Sequence, residues 1–535
     1  MPKQSLRENL FEEIDSRVLT IMRIVTGVAI AFWAWSYLKT VHYGGEVVPV
    51  YEVIFLQPDF LFKYAGFEWV KLWPGNGIAW HFYITLVAGV TLTIGLLTRV
   101  SAAILSASIA YVLLVERQIY VNHYYLLSCL AGLMVFLPAG RRLSIDSMVG
   151  VERRSDFFQR WQLWLLRFQV GIPYAFGGIA KMNSDWLLGQ PAGIYLEPRP
   201  DRSWIAELYL QLPAPTLLFS WGGLVYDLMI VPMLLYRKTR WLGVLMSLVF
   251  HFSNSQLFNI GVFPWFMLAG VIVFFPEDSV AKVGKYLRSV QYRFFNERTK
   301  TQLKKQDENQ SGAEENEKAT QAEASNHLHQ EGRLAKAGFY LAVAYVVLQT
   351  LLPFRHKVLP GNPAWNERGQ RFAWRMMLRH KTVLTTFQVV TPNGQYQYFP
   401  STHFLTPTQE EHGERNPELL RQTAVVIKKH AAEVGYKDAK IYCLCLASLN
   451  GRRPVPLVNP NVDLSQVKRG WLYDSWVMQN HGPLRKEIWN QDKRLWWQQL
   501  DLPERFKPLE GHLPSDLDAL INAQKKTQPS ALEMP

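Results

Sequence analysis

The chain has 535 residues, with 57 Lys and Arg against 44 Asp and Glu, and it carries 19 Trp, 29 Phe and 23 Tyr in several long apolar runs. That distribution excludes a single soluble domain and points to a polytopic membrane protein. The formal net charge of +13 does not imply nucleic acid, because most basic residues flank the apolar runs, as the bias of Lys and Arg toward inner loops requires.

In chain order, the opening MPKQSLRENLFEEIDSR is too acidic and too long before the first apolar run to be a signal peptide, so the first span is expected to be retained. Runs of apolar residues predict about nine helical spans, near 18–38, 79–97, 100–115, 121–138, 162–182, 215–236, 241–253, 260–276 and 337–353. With the N-terminus inside, the inner segments hold Lys3, Arg7, Arg17, Arg99, Arg141, Arg142, Arg153, Arg154, Arg160, Arg237, Lys238 and Arg240, and the outer loops are poorer in charge. Spans three and four, separated by Arg117 to Tyr120, form a tight hairpin, while the polar HFSNSQ interrupts spans seven and eight. Asp146 and Asp227 fall at inner ends or within spans, away from Lys181, and read as structural. The fold class expected is a polytopic α-helical membrane protein with a C-terminal α+β, β-rich external domain.

Residues 1–353 thus form the membrane domain, with a solvated, disordered inner loop at about 295–330, where the sequence turns to Lys, Glu, Gln and Asn. Residues 354–535 contain no further crossing run and form the external domain. There, VLTTFQVV and QYQYFP flank Asn393-Gly394, a hairpin signal, and KIYCLCLASL reads as another strand. PELLRQTAVVIKKHAAEVGY between them has helical periodicity. The tail LRKEIWNQDKRLWWQQL has an amphipathic helical pattern, with Trp489, Leu495, Trp496 and Leu500 directed either to the core or to a membrane surface. Cys129, Cys443 and Cys445 build no disulfide framework.

The chemistry gathers around GIPYAFGGIAKMNSDWLLGQ at 171–190, where an apolar span ends on Lys181 after Gly177-Gly178. A span-end lysine has two readings: a side chain that snorkels to the boundary, or a closely packed amine whose desolvation favours the neutral, basic form. Asn122 and His123 open span four at the same predicted depth, His81 begins span two there, and His251 with Asn254 closes span seven there. Polar residues within spans usually face the bundle interior, so their common depth argues for a site more strongly than any one member. His-x-x-x-His, Cys-x-x-Cys and Gly-x-x-x-x-Gly-Lys patterns are absent, which removes the usual signatures of zinc and nucleotide hydrolysis.

VNHYYL at 121–126, GGIAKMNSDW at 177–186, HFSNSQLFNIGVFPWFMLA at 251–269 and FAWRMML at 372–378 together make the chain resemble the vitamin K-dependent gamma-glutamyl carboxylases, within the wider HTTM membrane family. The resemblance implies that Lys181 deprotonates vitamin K hydroquinone and that His123, beside Asn122, supports the oxygenated intermediate. It implies that hydroquinone oxidation by O₂ supplies the strong base for the glutamate γ C–H, that the carbanion captures CO₂, and that no metal takes part. The partners implied are a glutamate-containing peptide and a quinone delivered by membrane lipid, with Arg375 and Arg379 read either as carboxylate anchors or as solvated arginines. Unlike the animal enzymes, the chain has no long extension after the match and no Asn-x-Ser/Thr site in the external domain, only Asn309 on the inner side. This favours a bacterial plasma membrane with the external domain periplasmic over the endoplasmic reticulum. Two alternatives remain: a quinone epoxidase or binding protein that does not carboxylate, and a proton-coupled transporter, although the two halves show no internal repeat.

Overall fold

The computed structural model describes residues 5–197, 204–277 except 259, 279, 282, the backbone of 321–335 and 524–527, and 336–523 except 469, 471–473 and 480. Its longer helices are α1 (Arg17–Leu38), α2 (Gly77–Ile94), α3 (Thr98–Val115), α4 (Asn122–Phe136), α5 (Arg160–Lys181), α6 (Pro215–Leu235), α7 (Arg240–Leu257), α8 (Phe263–Gly270) and α9 (Gln321–Phe354). Among the described residues, five stretches are long and apolar enough to cross a membrane: α1, α2, α3, α6 and Lys336–Lys357, which takes in the second half of α9. At about 1.5 Å per residue, the 22 residues of α1 reach the roughly 30 Å of a bilayer core. The other four predicted spans are also helical, but α4 and α8 have only 15 and 8 residues, while α5 and α7 interleave polar groups.

These helices bury one face and expose the other. Trp33, Phe82, Ile109, Leu130, Leu166 and Phe274 share a single core, while Trp80, Val87, Trp221, Val225, Leu242 and Val249 lie exposed. An apolar exterior around a packed interior is what lipid demands of a helical bundle. Arg23, fully buried in α1, donates to the carbonyls of Ala139, Arg142, Thr93 and Leu143 instead of to a carboxylate.

The α3–α4 hairpin forms as predicted, through a 3₁₀ turn at Arg117–Ile119 capped by Glu116. HFSNSQ does not interrupt α7, which continues through it to Leu257. Ser255 donates to the carbonyl of Phe252, and the His251 ring is held from outside the helix, so the polar run is absorbed without a break. The predicted loop at 295–330 lies outside the described residues as far as 320, and from Gln321 the chain is already helical.

The C-terminal region is an antiparallel sheet of β1 (Lys381–Val390), β2 (Tyr396–Pro400), β3 (Lys440–Leu449) and β4 (Val455–Pro456), in the order β2-β1-β3-β4. Gly394, at φ 80°, closes the predicted hairpin, and β3 covers KIYCLCLASL from end to end. Alternate residues of β1 and β3 point to opposite faces, and both are covered. On one, Phe387, Ile441 and Cys443 meet Leu420, Ala424 and Ile427 of α10 (Pro417–Glu433). On the other, Leu384, Tyr398 and Leu444 meet Trp496, Trp497 and Phe506. The tail therefore serves the core. Its expected long helix shrinks to Trp496–Gln499 after a single 3₁₀ turn, because Trp496 and Trp497 are both buried on the sheet.

Candidate functional site

Lys181 is the last residue of α5 and is only 5% exposed. Its Nζ donates to Asp227 Oδ2 of α6 at 2.5 Å and lies 5.2 Å from the Trp186 ring. Gly177 and Gly178 make this approach possible: a Cβ on Gly177 would stand 2.8 Å from Asp227 Oδ2, and one on Gly178 would stand 2.6 Å from Leu228 Cδ2. The lysine therefore does not snorkel. Asp227, read from the sequence as structural and remote from Lys181, is its ion-pair partner, because one turn of α6 crosses the α5 glycines at that level.

Lys181 borders a cavity of ≈ 360 Å³ whose walls are chiefly apolar, including Phe219, Leu245, Val249, Phe250 and Met377, with Tyr209, Tyr226, Ser253 and Asn254 as polar additions. Trp186 is buried on this wall, where its Nε1 donates to the carbonyl of Ser220. His251 stands just behind: its Nε2 is 2.7 Å from the Tyr174 hydroxyl and 3.4 Å from that of Tyr226, which donates to Ser247. A Lys–Asp pair, a Tyr–His–Tyr group and an apolar hollow thus meet where the last two turns of α5, the middle of α6 and the second half of α7 come together. This arrangement can exchange protons with a flat apolar ligand while keeping water out.

Residues 11–278 match the family model of the HTTM domain, and residues 334–482 match that of the vitamin K-dependent gamma-carboxylase lumenal domain. The chain belongs to the vitamin K-dependent gamma-carboxylase family. No solved structure matches it. Membership makes this a membrane protein and an enzyme of the carboxylase type, with vitamin K dependence implied by the family.

Within this carboxylase-family chain the expected residues separate into groups. Lys181 and Asn254 line the cavity, and His251 abuts it through Tyr226. His123 and Asn122 start α4 outside that wall: His123 stacks on Phe263 at 5.2 Å, and Asn122 accepts from the Tyr120 hydroxyl. His81 pairs with Ser108 at 2.8 Å, between α2 and α3, and so leaves the cluster that common depth suggested. Arg375 donates to Gln370, and Arg379 donates to Glu367 at 2.6 Å.

Sequence reasoning missed the clamp beneath Lys181. Asp185, four residues on, accepts a fork from Arg452 at 2.7 and 2.8 Å and a third bond from Asn450 at 2.8 Å. Bidentate geometry of this kind fixes orientation as well as distance. It ties the loop after α5 to the turn that follows β3. The only available signal was that Asp185 belongs to the quoted GGIAKMNSDW stretch, and nothing marked Asn450 or Arg452 as its partners.

Proposed function

We propose that this membrane enzyme couples oxidation of vitamin K hydroquinone to its epoxide with carboxylation of peptidyl glutamate to γ-carboxyglutamate. The observation that carries the reading is a buried lysine, 2.5 Å from a buried carboxylate, on the wall of an otherwise apolar cavity. The cavity suits a flat aromatic quinol: the rings of Phe219, Tyr226 and Phe250 border it, and its helices are among those that meet lipid. When bound, the quinol supplies, with O₂, the strong base that the weakly acidic glutamate γ C–H requires.

The chain's own task is proton management. Lys181 hands a proton to Asp227 across their contact and accepts the hydroxyl proton of the hydroquinone in its place. The phenolate produced then faces an ammonium, so the cavity gains no net charge, which a site poor in water could not otherwise tolerate. Ser253 and Asn254 offer hydrogen bonds to the ring oxygens, while Trp186 and Met377 shut out water. The support of developing oxyanion charge that the resemblance gives His123 acts from outside this wall, where the ring stacks on Phe263, and so on the part of the oxygenated intermediate that extends beyond the cavity. Arg375 and Arg379 anchor the glutamate carboxylate and orient the CO₂-accepting carbon, with Arg379 sharing its charge with Glu367.

The basic inner loops support nine crossings and a membrane domain ending near residue 353, followed by a periplasmic domain in a bacterial plasma membrane. The deciding assay incubates the purified protein with reduced vitamin K, bicarbonate and a glutamate-containing peptide. Epoxide and carboxylated peptide in step are expected. Epoxide alone would leave a quinone epoxidase, and neither product would refute the reading.

A further inference from the structure

A second cavity, of ≈ 320 Å³, lies where the outer ends of the helices meet the C-terminal region, and its walls include Arg117, Arg355, Arg368 and Arg371. Its own carboxylates are already engaged: Glu367 with Arg379 and Lys381, Glu418 with Arg421, and Asp474 with Arg368. Two guanidiniums differ. Arg355 donates to the backbone carbonyls of Leu352, Arg371 and Phe372. Arg371 sits 5.8 Å from the Tyr64 ring, and its Nη1 is buried with no hydrogen-bond acceptor among the described residues. Arg117 faces the same ring at 5.2 Å. Buried guanidinium donors are normally satisfied, and a guanidinium on a cavity wall with an N–H left over asks for an oxyanion that can draw it out.

The strand of chain between the two cavities tells which oxyanion. Arg371 and Phe372 line this cavity, and Met377 lines that of Lys181. Phe372, Trp374 and Met377 have φ of 54°, 55° and 60°, a left-handed backbone that side-chain-bearing residues adopt at a cost of roughly 1–3 kcal/mol each. The Tyr120 hydroxyl accepts from the Phe372 amide, and Trp374 is buried, so packing holds the wall in that shape. A peptide that crosses it can present acids to both sides.

We infer that the arginine cavity binds a second carboxylate of the glutamate-containing peptide, one within about five residues of the reacting glutamate, since 372 and 377 are at most roughly 17 Å apart along the chain. The identity of the peptide rests on the carboxylase reading. Lipid phosphate is the less suitable occupant, because residues of the C-terminal region such as Asn366, Glu418 and Gln479 form much of the wall.

The test measures binding, so it does not depend on turnover. A fluorescent peptide with three glutamates in seven residues, and its analogue with glutamine at the two outer positions, are titrated against the full chain in phosphatidylcholine nanodiscs. Arg371→Gln should weaken the triple-glutamate peptide about tenfold, the worth of one charge-assisted contact, and leave the analogue's affinity unchanged. Arg371→Lys should recover part of the loss. Equal effects on both peptides, or none on either, would overturn the inference, as would an unchanged peptide affinity with loss of co-purified anionic lipid. If the wild-type chain forms neither epoxide nor carboxylated peptide, the carboxylase reading fails on its own, and the tenfold contrast still decides the anion site.

Discussion

Two buried lysines, each beside a buried carboxylate, do different things in this molecule. Lys381, at the start of β1, donates to Glu367 at 3.0 Å and to the carbonyls of Trp365 and Arg415 at 2.6 and 2.7 Å, which uses all three of its N–H groups. Lys181 has one such bond, to Asp227, and borders a cavity. Around Lys381, Arg379 also reaches Glu367, so one carboxylate serves two cations. Although burial alone would push the Glu367 carboxyl up, Arg379 and Lys381 hold it below its usual range. Burial, with repulsion from Arg379, brings Lys381 down to about 8 despite the pull of Glu367. A saturated lysine is a strut. An unsaturated one facing an apolar hollow is available to a ligand.

The largest effect should follow from removing the available amine. Lys181→Ala should reduce epoxide formation by about 10³-fold or more, within the range lost with a positioned base and its proton partner. The variant leaves Asp227 buried alone, and stranding one member of a buried pair costs about 3–5 kcal/mol, so its fold must be followed by thermal unfolding in parallel. The double variant Lys181→Met with Asp227→Asn removes both charges and should unfold near the wild-type temperature while staying inactive. Activity in that double variant would end the assignment. Next in size, Asp227→Asn keeps the amine but not the proton's destination. Epoxidation should drop about 10–100-fold, and a normal rate would show that Asp227 only orients Lys181.

The contrast between the two lysines was half legible in the sequence. An apolar run ending on Lys181 after two glycines is a local pattern, and the glycines do bring α6 close, as the sequence suggests. That the approaching residue is Asp227 depends on how two helices cross, which no local pattern encodes, and its position inside a span made a structural role the simpler reading. Similarly, the Asn393-Gly394 turn and β3 are written in local chemistry, whereas the Asp185–Arg452 fork joins residues 267 apart. The span signal also weakened where polar groups serve the site: α5 and α7 carry Lys181 and His251, and neither reaches the apolarity of α1 or α3.

On the strut side, Lys381→Met should lower the stability of the C-terminal region by about 2–4 kcal/mol, because three acceptors lose their donor, without changing the epoxidation rate per folded molecule. The same lysine carries a pH signature. Its folded value of about 8 lies below the unfolded value near 10.5, so between these pH values the unfolded chain holds a proton that the folded chain lacks. Stability from this group therefore rises with pH across that window and is lost as pH falls through 8, a swing of about 3 kcal/mol. Subtracting the Lys381→Met unfolding curve from the wild-type curve isolates it. A flat difference would mean that the strut is not titrating.

The smallest effect expected is also the most selective for chemistry over folding. If Lys181 acts as a proton carrier, Lys181→Ala leaves a side-chain-sized space beside Gly223 and Trp186, and a small primary amine added to the assay can occupy it. Epoxidation should return by a few-fold over the variant's background, and the rescue should grow with pH as more of the added amine becomes neutral. Lys181→Arg should stay inactive with or without amine, since a guanidinium keeps its proton throughout this range and does not fit the single-point contact that an ammonium makes with Asp227. A fully active Lys181→Arg would show that position 181 supplies positive charge and not basicity. Lys181 would then resemble Lys381 in kind, a structural cation that happens to border a cavity, and the proton-transfer role assigned to the Lys181–Asp227 pair would have to pass to another group, with Tyr226 on that wall and His251 behind it as the candidates.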